Sequence, residues 1–319
     1  MRPNPFVCLA PMAGITDLPF RRVVQRFGAD RVTSEMVASG EIVAANRDMR
    51  IKAELGAEVE GTAVQLAGRE ARWMGEAARM VADMGARFID INMGCPAKRV
   101  TGGFSGAALM RDIDLAVSLI RAVIAAVQVP VSLKMRLGWD DLALLAPELA
   151  VRAEAEGVCL ITVHGRTRCQ FYQGEANWSA IRAVKEAISV PVISNGDIVS
   201  TTTARAALAA SGADGVMIGR GAQGAPWMIA EVRADLQGLS RPIVPQGREL
   251  NALISEHYHD MLVFYGRDLG RRVARKHLGW YMDRLGVGAR LRQSILTEAD
   301  PDAVFRLIPA MTEQEAEAA

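Results

Sequence analysis

Cys95 stands at the end of an apolar run, Asp90-Ile91-Asn92-Met93-Gly94-Cys95-Pro96, with a glycine before it and a proline after it. A turn of this kind holds a thiol at the mouth of a strand, where a substrate can reach it. Side chains alternate along a strand, so Asp90 and Asn92 share one face. Two polar groups on one interior face are costly unless they have partners or a role in chemistry. Taken alone, the segment also reads as a structural turn around a small buried thiol, because free cysteine is often buried. The elements around it decide between the two.

The chain has 319 residues, half of them apolar, enough for one large domain and a small appendix. Eight short apolar runs recur at Phe6–Met12, Arg31–Met36, Thr62–Leu66, Phe88–Met93, Val129–Met135, Leu160–His164, Pro191–Ser194 and Gly215–Ile218, each followed by a segment of helical periodicity. After Asp17, a helix N-cap by type, Phe20, Val23, Val24 and Phe27 follow the i, i+3, i+4, i+7 pattern. Leu115, Leu119, Ile120 and Val123 do the same before the Val129 run. Eight such units match a (β/α)8 TIM barrel, a fold typically of about 250 residues. A doubly wound open sheet is the alternative, but it seldom needs eight units, and no G-x-G-x-x-G follows the first run. Beyond Gly238 the texture changes. Pro242 and Pro245 mark a linker, and from Arg248 onward only helices are expected. The expected division is a barrel over residues 1–238 and a small all-helical domain over 239–319.

Composition narrows the function. The 37 Lys and Arg nearly balance the 36 Asp and Glu, which argues against a strongly basic coat but leaves room for a local patch. Cys8, Cys95, Cys159 and Cys169 form no C-x-x-C pair and there are only four histidines, so no metal site is expected. Cys8 and Cys159 lie in apolar runs and read as core; Cys169 receives no role. Such sparse cysteines suit a reducing cytosol. The first residues do not read as a secretory signal, and no run reaches the ~20 apolar residues of a bilayer span. A cytoplasmic protein, without a membrane or an obligate protein partner, is the expectation.

Chemistry in such a barrel sits at the C-terminal ends of the strands. There the first run offers the small-residue turn Pro11-Met12-Ala13-Gly14, the third Gln65, and the fourth Asn92 and Cys95. The fifth puts Lys134 and Arg136 on one face; two inward cations call for an anion or an electron-rich ligand. The sixth ends in His164-Gly165-Arg166, the seventh in Asn195-Gly196-Asp197 and the eighth in Gly219-Arg220-Gly221. The last two are the loops where barrels often take a phosphate, although each alone also reads as an ordinary turn. Together with Lys134 and Gln65 they fit a phosphate-bearing ring cofactor, and flavin mononucleotide (FMN) suits them.

At this point the chain resembles the tRNA-dihydrouridine synthases, which are FMN-dependent barrel enzymes. The matching motifs are Leu9-Ala10-Pro11-Met12-Ala13-Gly14, Gln65-Leu66-Ala67-Gly68, Asn92-Met93-Gly94-Cys95-Pro96, Lys134-Met135-Arg136-Leu137-Gly138, His164-Gly165-Arg166-Thr167-Arg168, Asn195-Gly196-Asp197-Ile198 and Gly219-Arg220-Gly221. Ala97-Lys98 and Gly102-Gly103 look most like the bacterial B branch. The resemblance implies that NADPH reduces FMN, that hydride passes from flavin N5 to C6 of a uracil in tRNA, and that Cys95 protonates C5. A free thiol titrates near about 8.5, so at neutral pH it is mostly protonated, as a donor must be. The resemblance further implies that Asn92, Arg136 and Tyr172 hold the uracil. Pro11, Met12, Ala13, Gln65, Lys134, His164, Asn195, Gly196, Asp197, Gly219 and Arg220 would hold FMN. The nicotinamide would use the uracil's space in turn, which implies ping-pong kinetics.

A uracil must leave its stack to enter a barrel, so something must grip the surrounding RNA. Between Arg267 and Arg292, eight Lys and Arg oppose two Asp, a local net of +6, with His277, Trp280 and Tyr281 interleaved. A solvated helix face with Trp280 in the core is the plain reading; a tRNA substrate turns the same stretch into an RNA contact with stacking surfaces. Two rivals stay open: an FMN barrel reductase of a small molecule, which leaves the basic tail unexplained, and a non-catalytic RNA-binding or regulatory protein, which leaves Cys95, Asn92 and Arg136 without purpose.

Overall fold

The computed structural model describes residues 4–56 and 61–312. Nine parallel strands run in the order β1 (Phe6–Leu9), β2 (Arg31–Thr33), β3 (Val37–Ala38), β4 (Thr62–Ala67), β5 (Phe88–Met93), β6 (Val131–Arg136), β7 (Leu160–His164), β8 (Val192–Asn195) and β9 (Gly215–Ile218). β1 pairs with β2, β2 with β4, and each later strand with the next until β9 returns to β1, closing a ring of eight. The two-residue β3 pairs with the end of β4, an addition to the second unit that the hydrophobic pattern did not show. The eight ring strands fall on the eight apolar runs, so the TIM-barrel expectation holds.

Helices alternate with these strands: α1 (Leu18–Gln25), α2 (Ser39–Val43), α3 (Arg47–Ala53), α4 (Ala71–Asp83), α5 (Lys98–Thr101), α6 (Ile113–Ala126), α7 (Ala146–Glu156), α8 (Arg182–Ala187), α9 (Thr201–Ser211) and α10 (Met228–Gln237). Their ends obey local chemistry. The Asp17 carboxylate accepts from Phe20 N at 3.0 Å, capping α1, and Asp112 accepts from Leu115 N at 2.9 Å, capping α6. Ser200 and Thr203 form a capping box at α9. Leu119, Ile120 and Val123 of α6 are fully buried in the layer between helices and strands, the larger part of the core.

Strand register decides what fills the barrel itself. Phe6, Cys8, Ala10, Leu160, Ile193 and Met217 make an apolar cluster from β1 and β7 to β9. Across from it, the register sets Gln65 beside Asp90, Asp90 beside Ser132, Asn92 beside Lys134, and Arg136 beside His164. The interior is thus apolar on one side and polar on the other. Cys8 is core, as expected. Cys159, just before β7, is exposed, because the strand begins one residue later and leaves the thiol at the rim away from the strand ends.

After α10 and Gly238 come residues without regular structure, then α11 (Gly247–Tyr265), α12 (Arg267–Arg284), α13 (Ala289–Thr297) and α14 (Pro301–Leu307). These helices share a second apolar cluster, including Leu253, Tyr258, Met261, Leu278 and Met282, which also takes in Val23 of α1 and Trp227. Polar bonds add to the docking: Tyr265 Oη donates to Asp17 Oδ2 at 2.9 Å, and Arg26 pairs with Glu256 at 2.5 Å. Lys276 Nζ of α12 reaches over to the Gly14 carbonyl in the turn after β1.

Candidate active site at the barrel mouth

Cys95 is half-buried in a turn pinned from three sides. Asn92 Oδ1 accepts from the backbone N–H of Gly94 at 3.2 Å and of Cys95 at 3.0 Å. The Cys95 carbonyl accepts from Ala107 N at 3.0 Å, and the Gly94 carbonyl accepts from Arg136 Nε at 2.8 Å. Asn92 Nδ2 donates to Gln65 Oε1 at 2.7 Å. Asn92 therefore spends its carbonyl on the cysteine turn and one N–H on Gln65; its second N–H is the group left to meet a substrate.

Arg136 is buried and builds the opposite wall. Its Nη1 donates to the carbonyls of Thr167 and Phe171 at 2.7 and 2.9 Å, and its guanidinium lies 5.6 Å from the centre of the Tyr172 ring. Arg220 lies 5.6 Å from the same ring, so Tyr172, itself well exposed, sits between two cations at the rim. Burial lowers the Arg136 pKa to about 10, still high enough to stay charged at neutral pH.

Next to this wall lies a second network. Asn195 Nδ2 donates to the Met217 carbonyl at 2.8 Å, which fixes the amide and turns Oδ1 toward Lys134 Nζ at 3.0 Å and His164 Nδ1 at 3.1 Å. An amide oxygen only accepts, so His164 Nδ1 carries the proton and its Nε2 keeps a lone pair. Burial, with Lys134, Arg136 and Arg166 nearby, pushes the imidazole well below its ordinary pKa, so His164 is neutral. Burial and Arg136 lower Lys134 to about 8, with Asp90 opposing them.

Beyond β8 the chain turns through Gly196 at φ 114° and Asp197 at φ 53°. A Cβ on Gly196 would lie 2.8 Å from the Ala176 methyl and 3.2 Å from His164 Nε2, so only glycine fits. Arg166 grips Asp197 with two bonds of 2.9 and 2.6 Å, Ala176 N adds a third at 2.8 Å, and Arg220 pairs with the same carboxylate at 3.3 Å. Burial raises the Asp197 pKa, but these bonds outweigh it and hold the carboxyl below its usual range. The turn after β1 adjoins the turn after β9: a Cβ on Gly219 would lie 3.7 Å from both Ala10 Cβ and Met12 Sδ. Pro11 and Met12 are half-buried there, and Ala13 is exposed.

The residues read from the sequence as site residues thus lie in the C-terminal halves of the ring strands or in the segments that follow them, Tyr172 in the loop after β7. Arg166, named at the end of the sixth run but given no role there, anchors Asp197, and Ser132, not singled out in the sequence, meets Asp90; alternation along Ser132–Lys134 was the available signal. His277 and Tyr281 are buried beside Phe20 and His257, so they are not stacking surfaces. Trp280 is half-buried, and with Arg275, Lys276, Asp283, Arg292 and Leu296 it lines a groove on the tail. Among the described residues no cluster of His, Cys, Asp and Glu could hold a metal ion, and no helix is long and apolar enough to cross a membrane.

A family model described as dihydrouridine synthase (Dus) matches residues 8–315. A relative from Rhodobacter capsulatus named probable tRNA-dihydrouridine synthase is 60% identical, covering 99% of this chain and 98% of its own. One named tRNA-dihydrouridine synthase B, from Pseudomonas syringae pv. tomato, is 46% identical over 88% of this chain and 83% of its own. Among solved structures, the BexX/CysO complex of Amycolatopsis orientalis shares the fold alone, with a TM-score of 0.50 and 18% identity over 73% of this chain and 88% of that one.

Proposed function

Since the chain belongs to the dihydrouridine synthase family, we propose that it reduces the C5–C6 double bond of a uridine in tRNA to 5,6-dihydrouridine, with Cys95 as the acid. The observation that carries this reading is the pinned turn that holds Cys95 beside Asn92 and Arg136. It presents a proton donor and two edge-binding groups to one space, as protonation of a flat, polar ring requires.

The mouth suits FMN on its own chemistry. Four cations, Lys134, Arg136, Arg166 and Arg220, face two carboxylates, Asp90 and Asp197, so the space holds net positive charge for a phosphate and an electron-rich ring. The Gly196 turn packs closely on Ala176 and His164, where a side chain would collide, and so stays at the end of β8 beside the imidazole. Gln65, Lys134, His164 and Asn195 would hold the ring; Pro11, Met12 and Ala13 would border it. Gly196, Gly219 and Arg220 would hold the phosphate, with Asp197 aiming Arg166 and Arg220. FMN held by these residues would supply the hydride chemistry for reducing the uracil C5–C6 bond, with NADPH as its reductant.

The protein's own part is orientation and one proton. Arg136 Nη2 and the free N–H of Asn92 hold the uracil edge, and Tyr172 covers it. The Cys95 thiol gives its proton to C5 and regains one from water. Arg275, Lys276, Trp280 and Arg292 of the tail grip the RNA backbone and a base from the side. Residues 239–319 thus act as an RNA-holding unit beside a catalytic barrel at 1–238, and a tRNA substrate places the enzyme in the cytoplasm. The test is dihydrouridine formation in tRNA lacking that modification, with FMN and NADPH. Product from wild type and almost none from Cys95→Ala supports the reading. No product from wild type, despite bound and reducible flavin, refutes it.

A further inference from the structure

Asp90 lies under the site, 4% exposed, and the reaction as read above does not use it. Its two oxygens are both engaged: Ser132 Oγ donates to Oδ1 at 2.7 Å, and Gln65 Nε2 donates to Oδ2 at 2.7 Å. From there a chain of bonds crosses β4 and β5, through Gln65 Oε1 to Asn92 Nδ2 at 2.7 Å and Asn92 Oδ1 to Cys95 N at 3.0 Å. We propose that Asp90, held by Ser132, is a positioning residue that sets the orientation of the Gln65 and Asn92 amides and through them the turn that carries Cys95.

Polarity sets the direction of these bonds. A side-chain amide fits its cavity almost equally well in two orientations, and hydrogen bonds choose between them. A carboxylate only accepts, so Gln65 must turn its N–H toward Asp90 and its oxygen toward Asn92. That oxygen demands an N–H from Asn92, which leaves the Asn92 oxygen facing Gly94 N and Cys95 N. Reversing the first amide reverses the second and sets an N–H of Asn92 against two backbone N–H groups. Unpaired buried donors are expensive, so the reversed state would force the turn to move. Ser132 completes the device by occupying the second oxygen of Asp90. Without Asp90, only the backbone N–H groups of Gly94 and Cys95 set the direction of the chain of bonds, and Gln65 loses the acceptor that holds its amide from the other end.

This inference rests on the reading of Cys95 as the acid, but its test does not use turnover. Peptide-resolved alkylation by iodoacetamide follows each thiol of the full chain separately, with exposed Cys169 as the internal standard and buried Cys8 as a monitor of unfolding. In Asp90→Leu, Cys95 should react at least about threefold faster, because the loss of a buried hydrogen bond frees the turn, while Cys169 keeps its rate. Asp90→Asn, which can still accept from Gln65, should fall between this and wild type. Asp90→Leu combined with Gln65→Leu should be no faster than either alone, because both break one chain of bonds. An unchanged or slower Cys95 in folded Asp90→Leu, or effects that multiply in the double variant, would overturn the proposal. Should Asp90→Leu expose Cys8, Ser132→Ala decides: about twofold acceleration of Cys95 supports it, and the wild-type rate sinks it. If instead Cys95→Ala still makes dihydrouridine, the assignment of the acid fails while the alkylation result stands by itself.

Discussion

The barrel mouth and the helical tail both gather charge, and they hold it in opposite ways. At the mouth the charged and amide groups bind one another: Arg166 takes Asp197 with two bonds, Lys134 and His164 share the Asn195 oxygen, and Asp90 receives Gln65 and Ser132. On the tail, Arg272, Arg284 and Arg290 are exposed, and the ion pairs that form, Arg267 with Asp302 and Arg292 with Asp283, are largely at the surface. A network fixed before the ligand arrives loses little on binding and can stabilise charge in a defined place. Exposed, long side chains are poor at that and good at following a phosphate backbone of variable geometry. The contrast separates chemistry from grip, and each region can be broken without the other.

The largest effect is expected at the proton donor. Cys95→Ala should lower dihydrouridine formation by about 10²–10⁴-fold, the usual contribution of a general acid, while NADPH still reduces the flavin at the wild-type rate. Comparable losses in both half-reactions would mean that Cys95 holds the site together and does not protonate. Asp197→Ala comes next. It leaves the buried Arg166 guanidinium without its carboxylate, which should cost about 3 kcal/mol in denaturant unfolding and weaken FMN binding. Unchanged FMN affinity would separate the Gly196–Asp197 turn from the flavin phosphate. On the tail, Arg275→Glu should raise the KM for tRNA about tenfold and flatten the salt dependence of binding by about one unit per lost contact. NADPH consumption without tRNA should not change. A tRNA KM unaffected by Arg275→Glu and by Trp280→Ala would place the RNA elsewhere.

Both regions were visible in the sequence to different depths. The barrel was legible because each strand is a short apolar run, and alternation then told which residues face inward; Lys134 and Arg136 were found this way. Their partners were not, because Lys134–Asn195 and Arg136–Gly94 join different β/α units, and register is a property of the closed ring. Cys159 shows the limit at a boundary, where one residue separates a core strand from the rim. In the tail the count of cations was legible and their faces were not. His277, Trp280 and Tyr281 lie within five residues on α12, yet two are buried and one lines the groove. The helical period alone does not say which side meets α1. The bond from Lys276 to Gly14, which ties the groove to the turn after β1, joins segments 262 positions apart and left no mark on either.

The smallest effect is also the one that tests the mouth most directly, because it asks one group to act in two directions. Lys134 has its pKa lowered to about 8 by burial and by Arg136. Below that value the folded and unfolded chains both carry the proton, and the fold bears the full cost of a buried cation. As pH rises from about 8 toward the ordinary lysine range near 10.4, the unfolded lysine binds more protons, so the Lys134 contribution to the stability of the flavin-free protein should rise. An anionic ligand needs the cation, so FMN affinity should fall over the same window, by less than about tenfold per pH unit. Measured above about pH 7.5, the FMN phosphate is already dianionic and adds no slope of its own. The difference between wild type and Lys134→Met should therefore trend in opposite directions in calorimetric titration of FMN and in urea unfolding of the flavin-free protein, while Arg136 and buried Cys8, displaced to about 10 and about 12, give both proteins the same background slope. A difference of the same sign in both measurements, or slopes that coincide in wild type and Lys134→Met, would assign the titration to another group and remove Lys134 from the flavin site.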